Sequence, residues 1–175
     1  MISKKGGLRG VKLIVSDGHK GIQKAVRESF IGSIWQLCQV HLTRQALKKV
    51  PKKKQKEVAE KIKEAVIDRQ KYNDLIQELD SMGYKGAADT LENLQYDIMN
   101  YMQFLEKHWK KIRTTNIMER TNKELKRRRR VVGAFPNQES VLRLAVSILI
   151  DINEDWVTGN KYIIMEQFPP DNSFT

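Results

Sequence analysis

Asp17 closes the run VKLIVSD, where a β-branched stretch gives way to Asp17-Gly18. A carboxylate at a strand end can hold a divalent cation, and two-metal phosphoryl chemistry needs several such carboxylates converging. A second acidic candidate, Glu119, lies inside TTNIMERTNKELKRRRR, Thr114 to Arg130. Each has a plainer explanation. An isolated Asp-Gly serves to cap the helix after it, and Asn116 with Glu119 three residues later fits a capping box. Lys126 follows Glu119 by seven residues, two helical turns, so both fall on one face where the ammonium can meet phosphate. Arg120 and Arg127 repeat that spacing, with a solvated face as their plainer reading. Cys38-x-x-His41 has the look of half a zinc site, but structural zinc takes four ligands. No second cysteine exists, and neither His19 nor His108 has ligand spacing to this pair. A packed cysteine and a hydrogen-bonded histidine at a sheet–helix junction is the expectation here. Trp35 and Trp109 read as core residues rather than base-stacking platforms.

Charge narrows the partner. The 175 residues carry a formal net charge of +11, unevenly placed. By segment it is +5 over 1–42, +7 over 43–63, −6 over 64–106, +9 over 107–130 and −4 over 131–175. Two basic blocks flank an acidic middle, a pattern that favours a polyanion, because each phosphate neutralised releases counterions. The 43–63 block is explained equally well as solubilising charge. Lys126-Arg127-Arg128-Arg129-Arg130, five cations in a row, is better explained by nucleic acid, with Arg120 and Lys123 on the same stretch. The longest apolar run, Leu142 to Ile150, is about half of what a membrane span needs. The basic N-terminus has no apolar region after it, so no signal peptide is expected. One cysteine excludes an internal disulfide framework and fits a reducing, cytoplasmic setting.

The elements that must position these residues follow from periodicity. Val11 to Asp17 reads as a short buried strand and His19 to Phe30 as a helix, with Ile22, Ala25, Val26 and Phe30 at helical spacing. Gly32-Ser33 breaks it, and Ser33 to Leu37 is a second strand candidate before helical spacing resumes to Pro51. Strand–helix–strand predicts a parallel pair. From Lys52 to about Leu105 the pattern is helical throughout. Its stripes are Val58, Ile62, Ala65 and Val66; Leu75, Ile76 and Leu79, closed at Met82-Gly83; and Ala87, Ala88, Leu91, Leu94, Ile98 and Tyr101. A helix begins near Asn116 and ends by Gly133 to Pro136. Val141 to Ile150 predicts a further apolar helix, and the stretch after Trp156 reads as loop.

VSDGHKGI, WQLCQVH and TTNIMERTNKELKRRRRVVGAFPN, in this order around a helical stretch, resemble the C-terminal catalytic half of Mutator-type bacterial insertion-sequence transposases. The likeness runs from Leu8 to Ile150. It implies an RNase H-like fold with a DDE active site, here a partial sheet of about two strands in an α/β, mostly α chain. Residues 1–50 and 114–150 would form the core, 51–113 an all-helical insertion and 151–175 a C-terminal tail. Asp17 resembles the family's second catalytic Asp and Glu119 its catalytic Glu, both as metal ligands, and with the likeness in hand catalysis is favoured over capping at Glu119. Trp35, Cys38, His41 and Asn116 match signature positions of structural character. The basic residues Arg120, Lys123, Lys126, Arg127, Arg128, Arg129 and Arg130 would meet DNA.

The likeness also implies a first catalytic Asp on an upstream strand, whereas the ten residues before Val11 contain no Asp or Glu. The expectation is therefore a transposase fragment that binds DNA at transposon ends and is impaired in cleavage and strand transfer when alone. Two Mg²⁺ or Mn²⁺ ions belong to the intact enzyme. A homo-oligomer or a complementing transposase chain is the expected protein partner, with no role for a membrane. The alternative is a non-catalytic DNA-binding or regulatory module that partners a full-length transposase.

Overall fold

The computed structural model describes residues 10–133, 135, 137–159 and 163. The chain divides into two compact units, one ending at Thr114 and the other beginning at Thr115. The fold is α/β and mostly helical.

In the first unit, β1 (Leu13–Ser16) and β2 (Ile34–Leu37) pair in parallel, with Leu13 opposite Ile34 and Ser16 opposite Leu37. The backbone bonds Ile34 N–H to Lys12 O (2.9 Å) and Cys38 N–H to Ser16 O (2.8 Å) extend the ladder at both ends. Between the strands runs α1 (Lys20–Ser29). Gly32, at φ +85°, makes the turn back into β2, a conformation that costs an L side chain but not glycine. The strand–helix–strand expectation holds, and the strands are only four residues long.

The helical stretch follows as α2 (Gln39–Leu47), a 3₁₀ turn at Lys52–Lys54, α3 (Gln55–Ala65), α4 (Arg69–Ser81) and α5 (Lys85–Asn93). Their apolar stripes face inward as the spacing predicts. Leu42 and Ala46 from α2, Val58 and Ile62 from α3, Leu79 from α4 and Leu91 from α5 share one core with Leu37 of β2. Asp68 caps α4, its carboxylate accepting from Gln70 N–H (2.8 Å) and Lys71 N–H (3.1 Å). At the other end Tyr84 N–H bonds Leu79 O and Gly83 N–H bonds Asp80 O, with Gly83 at φ +81°. These are the two bonds of a Schellman stop.

The third stripe, Ala87 to Tyr101, is not one continuous helix. It breaks at Leu94 into α6 (Gln95–Ile98) and a 3₁₀ turn at Asn100–Gln103. Its later part is tied to β2. The fully buried Gln36 donates from Nε2 to Ile98 O (2.7 Å), and its Oε1 accepts from Tyr101 N–H (2.8 Å). Those backbone groups bond the strand pair instead of continuing a helix. Asn100 Nδ2 adds a bond to Trp35 O (2.7 Å). A last helix of this unit, α7 (Glu106–Ile112), follows.

The second unit holds α8 (Asn116–Val132) and α9 (Gln138–Thr158), which pack against each other. Asn137 caps α9, its Oδ1 accepting from Ser140 N–H (2.9 Å). The apolar helix expected over Val141 to Ile150 runs on through Trp156 to Thr158, where the sequence reading had loop. No helix among the described residues is long and apolar enough to cross a membrane.

Candidate functional site: two carboxylates and a basic helix

Asp17 is the first residue past β1, at the carboxyl edge of the parallel pair, the edge at which open α/β sheets place ligands. It is half-buried. Its Oδ1 accepts from His19 N–H at 3.2 Å. The cap of α1 is His19, not Asp17: the imidazole Nδ1 accepts from Gly21 N–H at 3.2 Å. Gly21 makes that possible, because a Cβ there would stand 3.1 Å from the His19 ring. The capping explanation for Asp17 therefore passes to its neighbour, and no described residue bonds Asp17 Oδ2.

The junction beneath Asp17 is held by side chains whose part the sequence did not show. Trp35 donates from Nε1 to Ser16 Oγ (2.8 Å), and that hydroxyl donates to Asp17 O (2.9 Å). Trp35 thus has a structural task, as expected. Trp109 also spends its indole N–H internally, on Phe104 O (2.7 Å), and stacks edge-on against Tyr101. Both indole N–H groups are spent within the fold.

Cys38 is fully buried at the N-cap of α2, as expected of a packed cysteine. His41 departs from expectation: its buried Nδ1 has no hydrogen-bond partner among the described residues. No group of three or more His, Cys, Asp or Glu among the described residues is placed to hold a metal ion. Gln39 N–H, in the first turn of α2, bonds Arg113 O at 3.1 Å. That bond fixes the end of the first unit beside the N-terminus of α2, which follows directly from β2.

In the second unit, α8 is made of strong helix formers with neither Gly nor Pro from Asn116 to Val132, and Gly133 at φ +76° stops it. Thr115, not Asn116, occupies the N-cap, and no side-chain bond caps the helix there. Asn116 is the exposed first helical residue. Glu119 is then the fourth, its N–H bonded to Thr115 O at 3.0 Å. A capping box sets its Glu at the third position. The capping-box expectation fails by one residue, while Glu119 stays in the first turn of α8, where a negative charge suits the helix N-terminus.

Glu119, Lys123, Lys126, Arg127 and Arg130 line one hollow of about 660 Å³. Their offsets of 4, 7, 8 and 11 residues make a single helical stripe, so Lys126 does share the face of Glu119. Arg120, Arg128 and Arg129 are exposed but do not line it. Glu124 is the counter-charge. Arg127 grips it with two bonds (Nε to Oε2, 2.8 Å; Nη2 to Oε1, 2.6 Å) and Arg128 adds Nε to Oε1 at 2.8 Å. The bonds from Arg127, then from Arg128, hold the Glu124 carboxyl down at about 2. Lys123, Lys126, Arg129 and Arg130 have no ion-pair partner among the described residues, leaving four solvated cations for an outside anion.

The model of the Mutator family of transposases matches residues 3–159 of the chain. The chain belongs to that family. It is 35% identical to the transposase for insertion sequence element IS256 in transposon Tn4001 of Staphylococcus aureus, over 91% of its own length and 43% of that protein's. The transposase for insertion sequence element ISRM5 of Rhizobium meliloti is 32% identical over 91% of this chain and 42% of its own. That for IS406 of Burkholderia multivorans is 33% identical over 90% and 42%. This Mutator-family chain spans about two-fifths of the length of these relatives.

Proposed function

We propose that the chain is the DNA-binding, carboxylate-bearing part of a DDE transposase, with an RNase H-like sheet of which β1 and β2 are a portion. The observation that carries this reading is Asp17 at the carboxyl end of β1. There it does not cap α1, and no described residue bonds its Oδ2. Glu119, one position beyond a capping box and on a cationic stripe, supports the same reading. Asp17 and Glu119 would be two ligands of Mg²⁺ or Mn²⁺, and further carboxylate ligands would come from a longer transposase chain or a second one. The bound ion supplies charge neutralisation at phosphate and an activated water or 3′-hydroxyl. Lys123, Lys126, Arg129 and Arg130 hold the DNA backbone.

A second reading, a non-catalytic DNA-binding module that partners a full-length transposase, is favoured by the exposed cations Lys123, Lys126, Arg129 and Arg130, which need no metal to hold a phosphate backbone. Fluorescence anisotropy with insertion-sequence-end duplexes tests what the two share. K123Q/K126Q/R129Q/R130Q should weaken binding at least about tenfold; unchanged binding overturns the role of α8. Nicking assays in Mn²⁺ separate the two. Nicking that D17N and E119Q each abolish supports catalysis, whereas binding without nicking supports the second reading.

A further inference from the structure

The first unit carries its own basic surface, at the corner between α2 and α3. Lys48, Lys49, Lys52, Lys53, Lys54 and Lys56 fall within nine residues there, and all six are exposed. The corner is fixed. Gln55 donates from Nε2 to Leu47 O (2.8 Å) and Val50 O (3.0 Å), Lys54 N–H bonds Pro51 O (2.8 Å), and Val50 is buried beneath. Lys49 lays its methylenes over Gly86, where a Cβ would stand 3.1 Å away, and its Nζ bonds Thr90 Oγ1 at 2.8 Å. Lys54 pairs with Glu57 at 2.8 Å. Lys48, Lys52, Lys53 and Lys56 have no ion pair among the described residues.

Two features argue against mere solubilising charge. Four of the six lysines stand against the dipole of α3: Lys52, Lys53 and Lys54 precede it and Lys56 lies in its first turn, where only Glu57 offsets them, whereas Lys48 at the C-cap of α2 suits that helix's dipole. Cations at a helix N-terminus destabilise it, and such local conflicts mark functional surfaces. The rest of this helical stretch has the opposite sign, −6 over 64–106, so the cations are concentrated at the corner, with Glu57 their one acidic neighbour in the first turn of α3.

We infer that the Lys48–Lys56 corner is a second DNA-backbone contact, on the helical stretch and separate in sequence from α8, that grips duplex phosphates without reading bases. It rests on the proposed DNA binding. Ammonium groups on a fixed corner suit phosphate as point charges and offer no bidentate fork for a base edge.

The test is the salt dependence of duplex binding by the 175-residue chain, wild type against K48Q/K52Q/K53Q/K56Q. Each phosphate contact contributes about 0.9 to the slope of log K against log salt. The variant should lose up to about 3.6 from that slope and at least about tenfold in affinity near 0.1 M salt, alike on insertion-sequence ends and unrelated duplexes. All four positions are exposed, so circular dichroism should match wild type, and melting should match it or rise slightly as cations leave the N-terminus of α3. A variant that keeps both slope and affinity overturns the inference while the wild type's binding leaves the proposed function standing. A wild-type chain that binds no duplex overturns both. A loss confined to insertion-sequence ends overturns the claim that the corner reads no bases.

Discussion

The helical stretch and the elements that carry Asp17 and Glu119 differ in how they are held. From Leu37 to Met99 the fully buried side chains form one continuous core. β1, which delivers Asp17, has no buried residue, and α8, which delivers Glu119, buries no apolar side chain among the described residues. β1 is tied down instead by backbone ladder bonds and the Trp35–Ser16–Asp17 chain. The two regions should therefore respond oppositely to substitution: stability resides in the stretch, and the proposed chemistry in elements that contribute little to it. Parts that bind and react are drawn from the less stable end of a fold.

The sharpest break of this comparison is Leu79→Ala. It empties a fully buried site and should cost about 3 kcal/mol in urea unfolding, with DNA affinity of the folded fraction unchanged. A cost below about 1 kcal/mol would mean that the core is elsewhere. Next is Gln36→Leu, which strips Ile98 O and Tyr101 N–H of their partner. About 2 kcal/mol should go, and faster amide exchange at Tyr101 is the direct readout. Least costly to the fold is Glu124→Gln on α8. It frees Arg127 and Arg128 and removes a negative charge, so duplex affinity should rise severalfold with melting unchanged. The same pair sets a pH dependence. The Glu124 carboxyl is depressed from 4.5 to about 2, so the pairing is fully present above pH 4.5 and is lost as pH falls through about 2. A carboxyl ¹³C titration of Glu124 with its midpoint near 4.5 would show that the grip does not persist in solution.

Much of this was legible in the sequence, for identifiable reasons. The strands and the stripes through Val58 and Leu75 follow from period and punctuation, and Asp17 from its place after a β-branched run. The stripe after Ala87 gave the buried residues but not the division into separate helical segments, because apolar spacing is blind to a single buried amide, Gln36, that bonds backbone groups from across the unit. Asn116 misled because Thr115 is as plausible a cap, and one residue decides whether Glu119 sits in a capping box. Trp35 and Gly21 were visible as residue types, but their tasks, the indole bond to Ser16 and room for the His19 cap, exist only in three dimensions. The lysines near Pro51 were counted from the first, but that they stand against a helix dipole is visible only once α3 has its start.

The central claim, that Asp17 and Glu119 serve as metal-binding carboxylates of a transposase, is tested most directly by Mn²⁺ titration of the ¹⁵N-labelled chain. The expected result is paramagnetic broadening at Gly18 and His19 and at Glu119 and Arg120, weakened at both places by D17N and by E119Q. Broadening that avoids these residues, or that neither substitution changes, would contradict it.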